Sequence, residues 1–179
     1  MANLNTPRTA ILFVVAAALA LATLQGCKQA PPPEPVATTP APAPAPIGPR
    51  HIYSETANPR TDIAAALKQA ALEHKRVLID FGGDWCGDCQ VLDIYLRQSP
   101  NDKLLADNFV LAHVFVNSDI SNNLDLGDKY GIPLKKGVPA LAVLDAHGKI
   151  LYSQKTGEFE SMRKMSPQSV TDFLNKWKS

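Results

Sequence analysis

Residues 77–89 read VLIDFGGDWCGDC. The run from Arg76 to Gly82 is short, rich in β-branched and apolar residues, and bounded by turn signals. With both faces largely apolar, it is expected to form a central strand covered on two sides. A helix is expected from Cys86 to Gln98, with Val91, Leu92, Tyr95 and Leu96 on one face and Ser99-Pro100 as its stop. The two cysteines therefore fall where a buried strand hands over to a helix. Cys86 would sit at the helix N-terminus, where unpaired amides and the macrodipole favour a thiolate. Cys89, one turn later, would be close enough to attack a mixed disulfide held on Cys86. Metal binding and a static disulfide are the other uses of such a pair. Zinc needs two further ligands, and beyond this pair the folded region offers only His51, His74, His113 and His147, widely scattered.

Outward from this stretch, the chain alternates helical and strand patterns. TDIAAALKQAALEHK (61–75) has Ile63, Ala66, Leu67, Ala70, Ala71 and His74 at helical spacing, with Thr61 or Asp62 as the expected cap. NDKLLADN (101–108) reads as a short helix leading into a second strand, FVLAHVFVN (109–117). A polar stretch and a helix around Leu124–Tyr130 follow. GVPALAVLD (137–145) and KILYSQ (149–154), joined by the DAHG turn, read as an antiparallel hairpin. SPQSVTDFLNKWK closes the chain as a helix: Ser166 caps, Pro167 takes the first position, and Val170, Phe173, Leu174 and Trp177 form one stripe. This order predicts an α/β fold with a mixed sheet between helices. Whether residues 50–60 add a strand or continue the preceding spacer is open.

The first 49 residues differ in kind. Arg8 precedes AILFVVAAALALATL (10–24), an uncharged run too short for a bilayer span of about 20 residues. It ends Leu24-Gln25-Gly26-Cys27, which resembles the bacterial lipobox. The resemblance implies a signal peptide over 1–26 and lipidation of Cys27. Lys28, rather than an Asp, follows that cysteine, which by the same resemblance favours the outer membrane. Residues 30–49, APPPEPVATTPAPAPAPIGP, cannot bury a core. They are expected to form a disordered, extended linker (27–49 with the lipid-bearing residue) that could reach roughly 60 Å. The folded domain is then 50–179, on the periplasmic side of a membrane. Excluding 1–26, which contains only Arg8, the chain has 17 basic and 17 acidic residues. No basic stripe points to nucleic acid.

VLIDFGGDWCGDC, with Trp85-Cys86-x-x-Cys89, and the distant Gly137-Val138-Pro139 resemble the strand, active-site loop and proline turn of the thioredoxin family. The resemblance spans roughly Thr61–Lys178 and implies the thioredoxin-like fold. It also implies thiol–disulfide exchange, with Cys86 attacking and Cys89 resolving; the lipobox resemblance places that exchange outside the cytoplasm. Asp80, six residues before Cys86, would move the proton; its mid-strand position among apolar neighbours independently suits it to acid/base work. Pro139 would be cis, with Val138 presenting its backbone to the substrate and Trp85 packing beside the loop. No cofactor beyond the dithiol is implied. The implied partners are disulfide-containing proteins and a transmembrane thiol reductase as electron donor, with reductase or isomerase the direction of use. A Cu(I)- or Zn(II)-handling protein and a non-catalytic binding module are the alternatives.

Three departures from the family pattern stand out. Gly87-Asp88 replaces Gly-Pro, and a carboxylate there should disfavour the neighbouring thiolate. Some thioredoxin-related proteins with narrower substrate ranges also carry an Asp just before the second cysteine. Gly82-Gly83 stands in place of Trp-Ala, which predicts a less filled wall. Finally, YGIPLKKGVP has extra residues that should project Lys135 and Lys136 near the cysteines, while Asp84 is expected to be merely solvated.

Overall fold

The computed structural model describes residues 50–179. The expected signal peptide, Cys27 and the Pro/Ala linker lie outside the described residues. Four strands form one sheet in the order β2-β1-β3-β4. β1 spans Arg76–Gly82, β2 Phe109–Phe115, β3 Ala140–Leu144 and β4 Ile150–Ser153. β1 and β2 are parallel, whereas β1–β3 and β3–β4 are antiparallel. β1 is buried from Val77 onward, as its two-sided apolar pattern requires.

Helix α1 runs Pro59–Glu73, two residues earlier than its apolar stripe predicts. Asn58 is the cap, rather than Thr61 or Asp62. Its side chain accepts the amides of Arg60 and Thr61, and Pro59 occupies a first-turn position where no amide is missed. His74 does not join the stripe but ends the helix in the left-handed conformation. The next amide, Lys75 N–H, then reaches back to the Ala70 carbonyl.

Alternation along the strands sends side chains to two apolar layers. Ile63, Ala66 and Ala70 of α1 pack in one layer with Val77, Ile79 and Phe81. In the other, Leu92 and Leu96 of α2 (Gly87–Leu96) meet Leu78, Leu141 and Val143. Val170, Phe173 and Leu174 of the closing helix, Pro167–Trp177, complete that layer. By the same alternation Asp80 shares the face of Leu78. The register sets it beside His113 on β2 and Leu141 on β3.

The short helices Asn101–Asn108 and Leu124–Lys129 fall where their patterns place them. In the hairpin turn, Asp145 accepts the amides of His147 and Lys149, and Gly148 takes φ +85°. Residues 50–58 neither add a strand nor form a regular spacer; 50–53 fold back on the loop after β1. No helix of the described residues is long and apolar enough to cross a membrane.

Candidate active site

Cys86 is the residue before α2 rather than part of it. Its backbone is extended (φ −87°, ψ 110°), and its Sγ accepts the Cys89 amide at 3.1 Å. The sulfur thus occupies the capping position of a helix N-terminus, where the amides and the dipole stabilise negative charge. Cys86 and Cys89 are joined as a disulfide with Cα atoms 5.2 Å apart. Cys89 is fully buried, and Cys86 keeps 6 % of its surface. Only Cys86 therefore presents a face to an incoming sulfur.

Val138-Pro139, distant in sequence, completes this face. The peptide bond is cis, and the Val138 carbonyl oxygen lies 3.4 Å from Cys86 Sγ. An extended substrate segment laid against that carbonyl would bring its own disulfide to Cys86. Trp85 borders the same surface. Its indole N–H donates to the Val116 carbonyl at 2.7 Å, while 47 % of the residue stays exposed.

Behind the cysteines, Asp80 is 1 % exposed. Its Oδ2 accepts the Tyr53 hydroxyl at 2.6 Å and lies 3.1 Å from His113 Nδ1. Its Oδ1 has no hydrogen-bond partner among the described residues. Burial and the Asp80 charge together push the Tyr53 hydroxyl well above its ordinary range. For His113, burial of the ring pulls the pKa down, but the hydrogen bond and charge of Asp80 outweigh it and the net direction is up. Tyr53 and His113 also meet edge to face, with ring centroids 5.1 Å apart.

The wall expected to be underfilled is in fact occupied. A Cβ at Gly82 would come 2.5 Å from Tyr53 Oη and 2.9 Å from Cys89 Sγ, so these two atoms border the same small volume. A Cβ at Gly83 would collide with the Trp85 indole and the Val116 carbonyl. The two glycines are needed because neighbouring side chains and, at Gly83, a backbone carbonyl take their space.

Tyr53 reaches the site on a strap, residues 50–53. Gln90 brackets Arg50, accepting its N–H at 3.0 Å and donating to its carbonyl at 2.9 Å. Asp84 accepts the amides of Ile52 and Tyr53 at 2.8 and 3.1 Å, and His51 Nδ1 lies 3.0 Å from its other oxygen. Asp84 is therefore a clamp, not the merely solvated loop residue its sequence position implies. Burial would raise its pKa, but the two amides and His51 prevail and hold it below the usual carboxylate range. Nothing in IYSETANP marks Tyr53 as part of a site. Its partner Asp80 lies 27 residues away and is reached only through the fold.

The motif's extra carboxylate is also engaged. Asp88 accepts the Arg163 amide at 2.8 Å and two guanidinium bonds at 3.1 and 2.9 Å. Partial burial opposes the charged form, yet the Arg163 bonds win and lower the Asp88 pKa. Asp88 thereby pins the short 3₁₀ turn Met162–Lys164 against the start of α2. Lys136 does not project at the cysteines, because its Nζ donates to the Lys155 carbonyl at 2.9 Å. No group of three or more His, Cys, Asp or Glu that could hold a metal ion occurs among the described residues.

Comparison with known proteins agrees with this geometry. A family model described as thioredoxin-like matches residues 58–146. The crystal structure of a disulphide isomerase from Xylella fastidiosa Temecula1 is 37 % identical; the match covers 72 % of this chain and 98 % of that one, with a TM-score of 0.67. A thioredoxin from Thermus thermophilus is 20 % identical over 63 % of this chain and 81 % of its own, with a TM-score of 0.47. The C-terminal domain of Neisseria meningitidis DsbD is 20 % identical over 66 % and 96 %, with a TM-score of 0.48. No match to a curated protein was found. With a cysteine pair capping a helix beside a cis-proline turn, and with that extent of identity to the Xylella protein, the chain belongs to the thioredoxin-like family of thiol–disulfide oxidoreductases.

Proposed function

We propose that this protein reduces or rearranges disulfides of protein substrates outside the cytoplasm, held at a bacterial membrane by lipid on Cys27. The observation that carries the chemical part is the placement of Cys86 Sγ at the N-terminus of α2 and 3.4 Å from the Val138 carbonyl. In the reduced protein the Cys86 thiolate attacks a substrate disulfide. One substrate sulfur leaves as a thiolate and the other forms a mixed disulfide with Cys86. Cys89 gives its proton to Asp80 and attacks Cys86 Sγ. The Cys86–Cys89 bond forms, the bond to substrate breaks, and the second substrate sulfur departs with the electron pair. The substrate gains two electrons and the protein loses two. An external dithiol, in the cell a transmembrane thiol reductase, restores the reduced pair. The isomerase direction draws support from the Xylella relative, a disulphide isomerase.

Location and anchoring rest on the sequence: the short apolar run after Arg8, the Leu24–Cys27 motif and the Pro/Ala spacer. The decisive experiment is Cys89→Ser in cells. Covalent adducts on Cys86, released by reductant, should accumulate and name the substrates, and they should be absent in Cys86→Ser. If Cys89→Ser traps nothing and the wild-type domain neither reduces insulin nor reactivates scrambled ribonuclease, the fold serves only as a binding scaffold.

A further inference from the structure

We infer that His113 and Tyr53 are positioning residues for the resolving step: they hold Asp80 as the carboxylate that takes the Cys89 proton, and His113 balances each proton accepted by releasing one to solvent. The inference rests on the dithiol chemistry proposed above and specifies how its buried base works.

The two oxygens of Asp80 are unlike. Oδ2 faces two hydrogen-bonding groups, Tyr53 Oη and His113 Nδ1, while Oδ1 faces none among the described residues. A buried carboxylate oxygen without a partner is uncommon and calls for a role. Oδ2 is engaged by these two partners, which leaves Oδ1 as the atom open to receive a proton. Tyr53 Oη and Cys89 Sγ border the same Gly82 volume, which puts the Asp80 cluster next to the resolving sulfur. Asp80 itself has almost no contact with water, and Tyr53 is equally enclosed. The His113 side chain is 26 % exposed, so of the two groups on Oδ2 it is the one that reaches solvent.

Charge balance follows. With imidazolium beside carboxylate the buried pair is neutral. When Oδ1 takes the Cys89 proton, the charge that favoured imidazolium disappears, and His113 releases a proton to solvent. On re-reduction of the disulfide both transfers run backward, and Asp80 returns a proton to the Cys89 sulfur. The other charged groups near this pair are Asp93 on α2 and Asp84 in the loop after β1. Asp93 is paired with Arg97, and Asp84 with the strap amides and His51. From β3 the neighbour is apolar Leu141.

The test is stopped-flow reaction of the fully reduced protein with 5,5′-dithiobis(2-nitrobenzoate). The first thionitrobenzoate released reports attack by Cys86; the second, in a concentration-independent phase, reports resolution by Cys89. In His113→Gln the second phase should slow about tenfold or more near pH 7, within the usual range for general acid–base assistance. It should recover as pH rises, so that its rising limb lies at higher pH than in wild type. Tyr53→Phe, which removes one hydroxyl and keeps the ring, should move the same limb in the same direction by less. The first phase should keep its wild-type pH profile in both variants. Second-phase profiles that superimpose on wild type in both variants would overturn the inference and leave the dithiol chemistry standing. Absence of the first phase in wild type would instead overturn the dithiol reading itself.

Discussion

Asp88 lies between the two cysteines, and Arg163 is what keeps its charge from acting on Cys86 alone. Three hydrogen bonds converge on that carboxylate, so the unfavourable effect expected of it on a neighbouring thiolate is largely compensated. Arg163→Ala should therefore slow alkylation of Cys86 by iodoacetamide near neutrality, whereas Asp88→Asn should speed it. The double variant should lie nearer wild type than Arg163→Ala does. Equal rates in all four proteins would show that Asp88 has no electrostatic hold on the thiolate. His113 makes a second prediction, with a definite sign. Its folded pKa is raised, since Asp80 outweighs burial. Its contribution to stability is then complete below the unfolded value of about 6.5 and is lost as pH climbs through the folded value. Urea titrations from pH 5 to 9 should show wild type losing stability relative to His113→Gln as pH rises; a constant difference would contradict the pairing. At this scale the sequence was legible only where a role was local. The cysteine spacing and mid-strand Asp80 could be read directly, whereas Gly137-Val138-Pro139, distant from the cysteines, was placed only through the family resemblance. His113, 33 residues from Asp80, and Arg163, 75 residues from Asp88, could not be read, because only strand register and a loop crossing bring them in.

Among the elements, the strands were the most readable, since period-2 and two-sided apolar runs report burial directly. β1 covers the expected seven residues, and the closing helix begins at Pro167 as its cap and proline imply. Helix α1 began earlier because Asn58-Pro59 is a stronger start than Thr61 or Asp62. The strap was not readable as an element at all. Its backbone donors go to Asp84 and Gln90 side chains rather than to a periodic ladder, so no periodicity announces it. Gly82→Ala tests how tightly it fits. The added methyl would strike Tyr53 Oη and Cys89 Sγ together. It should cost about 1–3 kcal/mol in denaturant unfolding, as overpacking usually does. It should also raise amide exchange at Ile52 and Tyr53. Unchanged exchange there would mean that the strap does not rest on Gly82.

For the molecule as a whole, the order of elements sufficed to predict a mixed sheet between helices. It could not predict that the catalytic edge would be finished by residues on the N-terminal side of the first helix. The thioredoxin-like match begins at residue 58, so a domain boundary drawn there discards Tyr53 and the other strap residues. That placement also has a mechanical consequence. Whatever pulls on the chain ahead of Arg50 loads the bonds to Gln90 and Asp84 before it reaches α1. Traction on this end would draw the Tyr53 hydroxyl away from Asp80 while leaving the sheet intact. If the domain is held at this end, as proposed above, the point of attachment would also be one from which its proton chemistry could be felt.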